Sequence, residues 1–277
     1  MRSMQPIALH CRLAQAICSV IVLCAITATV PAFAQSTLDD ARKAVRKNPK
    51  SPIAHYNLGV ALADADQPEQ AIEAFQQAIR LNPKFAEAYY SLGMMHDALE
   101  DYDAAVHALQ KAQRLNPQLP DLQFNLGLVL SKAGRHVEAV KVLRSVKVGK
   151  APLNYFYTIG TVALKSDSTT QDAIEAFEQV VHLAPDSLSF YQSLGDAYRK
   201  AKRYDDAVRT YEQILAKDPN NEDAIYALGI TYVLSRQRAA AFKQHEKLER
   251  LRSALATPLI NYIFEEMPKR QDSTRQN

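Results

Sequence analysis

A chain of 277 residues with 47% hydrophobic side chains can bury a sizeable core, which excludes a disordered polymer. Only eight glycines, no tryptophan and long runs of Ala, Leu, Glu, Lys and Gln favour helices, because these side chains lose little freedom on entering one. The 33 basic and 30 acidic residues leave a net charge of +3, without the marked excess that nucleic-acid binding needs.

In chain order, the first segment is a leader. Arg2 and Arg12 flank a polar start, Leu13 to Val30 is mostly apolar, and Pro31 precedes the small-residue site Ala32-Phe33-Ala34. This predicts a signal peptide over residues 1–34, cleaved before Gln35, with export to the periplasm or beyond. The 18-residue apolar run is also near the lower limit for spanning a bilayer, so retention as an anchor is the alternative. Cys11, Cys18 and Cys24 all lie in the leader, so the chain from Gln35 onward can form neither disulfide nor thiolate site. Removing Arg2 and Arg12 leaves 31 basic against 30 acidic residues, or +1.

After it comes a repeat. Leu58-Gly59, Leu92-Gly93, Leu126-Gly127, Ile159-Gly160, Leu194-Gly195 and Leu228-Gly229 follow one another at 33 to 35 residues. Ala71, Ala105, Ala139, Ala173, Ala207 and Ala241 recur every 34, and Pro83, Pro117, Pro185 and Pro219 close units in the same register. Each period divides into two amphipathic helices. Tyr191, Leu194, Gly195 and Tyr198 mark one face of a first helix, and Ala207, Tyr211 and Ile214 one face of a second. The recurring Gly and Ala let the two backbones approach closely. Ser51-Pro52 starts a helix, Glu87, Asp121 and Asp223 open others, and Asn82-Pro83, Asn116-Pro117 and Asp218-Pro219 end second helices.

These residues resemble the tetratricopeptide repeat, whose pattern is aromatic-x2-Leu-Gly-x2-Tyr, then Ala-x3-Phe-x2-Ala and a closing Pro. The stretch from Tyr191 to Pro219 matches nearly throughout. The resemblance implies an all-α helical-hairpin solenoid wound as a right-handed superhelix, the first helix of each pair lining the concave side. Six units are expected, at about 52–85, 86–119, 120–153, 154–187, 188–221 and 222–252, between an N-terminal capping helix at 35–51 and a C-terminal one at 253–267. The tail 268–277 is polar and aperiodic and is expected to be disordered. Departures sit in the middle and at the end: Lys147 to Pro152 breaks the usual close, the fourth unit carries one extra residue between Ser166 and Gln171, and His245 replaces the large apolar residue of the sixth.

On the concave side three columns follow by offsets of four. The first is Tyr56, Tyr90, Phe124, Tyr157, Gln192 and Tyr226; the second is Val60, Met94, Leu128, Thr161, Asp196 and Ile230. The third changes sign from Asp64 and nearby Asp97 to Lys132, Lys165 and Lys200, which predicts a groove acidic at one end and basic at the other. The expected ligand is an apolar-rich segment of a partner protein, held by the aromatic floor and oriented by the charges. Tyr56 and Val60 stand where a carboxylate clamp would need Lys and Asn, so binding of a chaperone tail is not expected.

Catalytic patterns are missing. The histidines form no HExxH or Cys-His set, no Gly-x-Ser-x-Gly elbow or phosphate loop occurs, and the recurring glycines serve helix packing. His96 beside Asp97 and Asp101 reads as a core position followed by a new turn rather than an acid-base pair. The expectation is a non-enzymatic scaffold with no metal, cofactor or nucleic acid. The alternatives are a self-assembling spacer of an envelope complex and, more remotely, a regulatory subunit of an enzyme.

Overall fold

The computed structural model describes residues 32–146 and 152–267. The leader up to Pro31, the Lys147–Ala151 stretch and the tail therefore lie outside the described residues. Within them there are 14 α-helices, one 3-10 turn and no strand. In order these are α1 (Ala32–Lys47), α2 (Pro52–Asp64), α3 (Pro68–Leu81), α4 (Ala86–Ala98), α5 (Tyr102–Leu115), α6 (Leu122–Lys132) and α7 (His136–Arg144). After the break come α8 (Pro152–Ala163), the 3-10 turn (Asp167–Thr169), α9 (Thr170–Leu183), α10 (Leu188–Lys200), α11 (Tyr204–Lys217), α12 (Glu222–Leu234), α13 (Arg238–Arg250) and α14 (Ala256–Glu266).

The chain divides into two compact units, Met1–Ser91 and Leu92–Asn277. In the first, α1 packs on α2 and α2 on α3. In the second, α6 pairs with α7, α8 with α9, α10 with α11 and α12 with α13, and each pair stacks on the next through consecutive helices. The capping helix, expected over 35–51, runs from Ala32 to Lys47, and it buries Leu38.

Turn chemistry fixes where helices start and stop. Ser51 caps α2, its Oγ accepting from the Ala54 amide at 3.3 Å, with Pro52 in the first turn where a missing N–H costs nothing. Second helices end in the Asn-Pro and Asp-Pro pairs: Asn82, Asn116 and Asp218 each accept, through a side-chain oxygen, the amide two residues on at 3.1, 3.1 and 3.3 Å. Inside the hairpins the first helices close with a left-handed residue, Asp66, Glu100, Gly134, Lys202 or Arg236. The next amide then bonds back five residues at 2.8 to 2.9 Å, as in Gln67 to Leu62 and Arg203 to Tyr198. Asp121 differs from the expected helix opener: it sits at φ 57° and its side chain caps nothing, so α6 starts only at Leu122.

The fourth hairpin lacks the left-handed turn, and its extra residue explains why. The chain instead makes the 3-10 turn, and the buried Thr169 hydroxyl donates to the Ala163 carbonyl at 2.7 Å, satisfying the end of α8. Just upstream, α7 has 9 residues where α5 and α9 have 14.

The glycine beat is a set of slots. A Cβ on Gly59 would lie 2.6 Å from the Phe75 ring, and one on Gly93, Gly127, Gly160 or Gly195 would lie 2.5 to 2.7 Å from Leu109, Leu143, Phe177 or Tyr211. The large residue of each second helix thus fills the space that its first helix leaves open. All six beat alanines, Ala71 to Ala241, are fully buried. In the sixth hairpin, His245 does not fill the slot; Leu259 of α14 does, its Cδ2 standing 2.6 Å from where a Gly229 Cβ would be. The C-terminal cap is therefore a plug, with Ile263 completing the buried contact.

First helices depart from the one-faced pattern expected of them. In α6, Leu122, Leu126, Gly127, Val129, Leu130 and Ser131 are buried along one wide arc, and Phe124 and Leu128 keep surface on the other side. Such a helix faces its own second helix and neighbouring hairpins together, so its buried arc is broader than a single stripe.

Candidate partner-binding faces

In the first unit, Tyr56, Val60 and Tyr90 keep surface. The Tyr56 ring is held between Phe75 and Phe85, at centroid distances of 5.7 and 5.0 Å. Val60 is exposed and, with Ala61, Asp64 and the α1 residues Ala41 and Ala44, lines a cleft of about 480 Å³.

In the second unit, Met94, Phe124, Leu128 and Tyr226 are half-buried, and Tyr157 is 39% exposed. Tyr157 is fixed by ring contacts to Phe177 at 5.9 Å and Phe190 at 5.6 Å. Such rings offer apolar area at little cost in ordering, because their rotamers are already set. None of these aromatic and apolar residues is buried, nor are the column lysines Lys132, Lys165 and Lys200, so each retains surface.

The lysines, though exposed, are bonded to the preceding repeats, which changes the predicted charge gradient. Lys132 donates to both carboxylate oxygens of Asp97 at 2.8 Å, and Asp97 keeps only 14% side-chain exposure. The acidic and basic members of the third column therefore neutralise one another there rather than marking opposite ends. Lys165 donates to Ser131 Oγ at 3.2 Å, and Lys200 to the Leu164 carbonyl, with Asp167 at 3.1 Å. Each reaches back 33 to 36 residues, one repeat.

Asp196 looks out of place in an apolar column until Tyr211 is considered. Tyr211 fills the Gly195 slot and is fully buried, so its hydroxyl must find an acceptor, and it donates to Asp196 Oδ1 at 2.8 Å. Arg199 donates to the same oxygen at 2.8 Å and compensates the charge. Burial, followed by the Asp196 carboxylate, drives the Tyr211 phenol far above its ordinary range. Nearby, the Tyr198 hydroxyl donates to Glu178 at 2.6 Å, and the Arg203 guanidinium lies 4.6 Å from its ring centre. Burial first, then that hydrogen bond, pushes the Tyr198 phenol up to about 12. The column pattern did not predict this network; the signal was the one charged residue in its column, in the same hairpin as a Tyr where the first four hairpins carry Phe or Leu.

His96 is half-buried, its Nδ1 3.4 Å from Asp101. Asp101 is the N-cap of α5 and accepts the Ala104 amide at 3.3 Å. Their juxtaposition is thus part of a helix start. Among the described residues no group of three or more His, Cys, Asp or Glu is placed to hold a metal ion.

Tetratricopeptide-repeat family models match residues 61–120 and 96–154, residues 166–229 and 198–243, and residues 41–73. A comparison with curated protein sequences finds no match. Among solved structures, the chain is similar to the C-terminal part of a TPR repeat-containing protein from Cytophaga hutchinsonii, at 14% identity and TM-score 0.58, covering 82% of this chain and 94% of that one. It is also similar to a chain of the Naa15/Naa10 complex bound to HypK-THB, at 18% identity and TM-score 0.53, covering 83% and 36%. A chain of the APC/C hetero-tetramer Cut9-Hcn1 matches at 21% identity and TM-score 0.45, covering 83% of this chain, which spans 46% of that one. With the hairpins, the glycine slots and the family-model matches together, the chain belongs to the tetratricopeptide-repeat family.

Proposed function

We propose that the chain is a non-catalytic interaction scaffold that binds an apolar-rich segment of a partner protein on the outward columns of its first helices. The observation that carries this reading is the state of the aromatic residues: Tyr56 and Tyr157 keep surface while neighbouring rings hold them in place. A preordered aromatic surface loses little entropy when a partner covers it. The leader supports export, with the partner in the cell envelope or outside it. Mass measurement of the chain recovered from cells tests that part; an N-terminus at Gln35 is expected, and retention of Met1 would reject cleavage.

The binding face is tested by placing a photo-crosslinking residue at Phe124 or Leu128, and at the exposed Leu183 on a second helix. Crosslinks to one polypeptide from the first two positions, and none from Leu183, are expected. Equal labelling from all three, with helical content unchanged, would overturn the proposed face.

A further inference from the structure

One cleft on the candidate face of the second unit differs from the apolar columns around it. It measures about 360 Å³ and is lined by Tyr157 of α8, Leu188 and Gln192 of α10, Ile214 of α11, and Asn221 and Asp223 at the start of α12. Its walls include an exposed tyrosine ring, two aliphatic side chains and one carboxylate, and no Lys, Arg or His lines it.

That carboxylate is not consumed by the fold. The helix start of α12 is capped by Asn221, whose Oδ1 accepts the Ala224 amide at 3.0 Å and whose Nδ2 donates to Asp218. Glu222 accepts from Ser253 Oγ at 2.6 Å. Asp223 is left exposed, with no ion pair among the described residues. Lys217, one turn beyond Ile214, is held elsewhere by the Pro185 carbonyl at 2.8 Å and by Asp186, over the Tyr191 ring. Gln192, the one member of the first column that is not aromatic, adds an amide with no hydrogen bond to a described residue.

We propose that this cleft seats a Lys or Arg side chain of the partner segment, Tyr157 meeting the cation with its ring face, Asp223 neutralising it and Gln192 accepting from it. Leu188, which keeps surface beside the cleft, takes the methylene stem, while Ile214 is buried behind it. The assignment rests on the reading that the first-helix face receives a polypeptide. It names what that polypeptide must carry: one basic side chain between its apolar residues.

The test titrates the full chain with N-acetyl-arginine methylamide, and in parallel with its uncharged citrulline isostere, following backbone and Tyr157 resonances by NMR. Shifts confined to Tyr157, Gln192 and Asp223 are expected with the arginine probe, and weaker ones with the citrulline probe. Asp223→Asn should weaken arginine binding about fivefold, the worth of one exposed ion pair. Asp205→Asn, an acidic residue in the first turn of α11, should leave it unchanged. Equal response to the two probes, or an unaltered Asp223→Asn titration, overturns the cation site. Because free probes report on the cleft directly, a failed crosslink at Phe124 would reject the broader face without touching this result.

Discussion

A tyrosine in the deepest slot of a helical hairpin demands an acceptor, and Asp196 supplies it to Tyr211. The three-residue network predicts an ordering of mutational costs. Tyr211→Phe removes one donor and leaves Asp196 paired to Arg199, which costs about 1.5 kcal/mol as the loss of a hydrogen bond to a charged group. Asp196→Ala strands both the buried hydroxyl and the guanidinium, and should cost about 1 kcal/mol more, discounted because Arg199 and Asp196 each keep about a third of their side-chain surface. Urea unfolding of the two variants checks this; equal costs would show that Arg199 finds solvent without penalty. Tyr198 gives a pH signature. Its folded pKa of about 12 exceeds the ordinary 10, so the proton is bound more tightly in the folded state. Its contribution is complete below about pH 10 and is lost as pH rises through about 12. Between those limits the urea midpoint of the parent should fall more steeply than that of Tyr198→Phe, and parallel curves would reject the assignment.

At the scale of the helical hairpin, the slots make Gly→Ala the reverse of its usual effect. Alanine gains about 1 kcal/mol of intrinsic helix preference over glycine. At Gly160, however, the added carbon would lie 2.6 Å from the Phe177 ring, and buried rings in a filled core cannot retreat cheaply. Gly160→Ala is therefore expected to destabilise by about 1–2 kcal/mol net, read from the thermal or urea midpoint; a gain would mean that Phe177 moves freely. The hairpins themselves were legible in the sequence because small residues and turn prolines return on one period, and each such residue answers to a local constraint. Leu259 was not, since it replaces a residue of α13 from a separate helix 30 positions beyond Gly229, where no period points. Nor was the satisfaction of Lys132 by Asp97: both were read as groove charges, but their reach across one repeat depends on stacking rather than on either helix alone. The candidate aromatic positions were legible from column spacing; the cation cleft was not, because its carboxylate lies at a helix start outside all three columns.

For the second unit as a whole, each hairpin touches mainly the ones before and after it, so stability is a sum of hairpin and neighbour terms rather than one shared core. A plug at the end of such a row acts locally. Leu259→Ala empties a fully buried position and should cost about 2–4 kcal/mol in the hairpin it closes. The opening should propagate inward only as far as the neighbour terms allow. Hydrogen exchange is expected to accelerate in α12, α13 and α14 while α6 and α7 keep the parent's protection. The same variant should leave the arginine probe's cleft largely formed, because Tyr157, Leu188 and Gln192 stand on α8 and α10 and only Asn221 and Asp223 belong to the loosened hairpin. Uniform acceleration from α6 to α14 would instead mean that the unit unfolds as one cooperative body, and that Leu259 stabilises all of it rather than the end it covers.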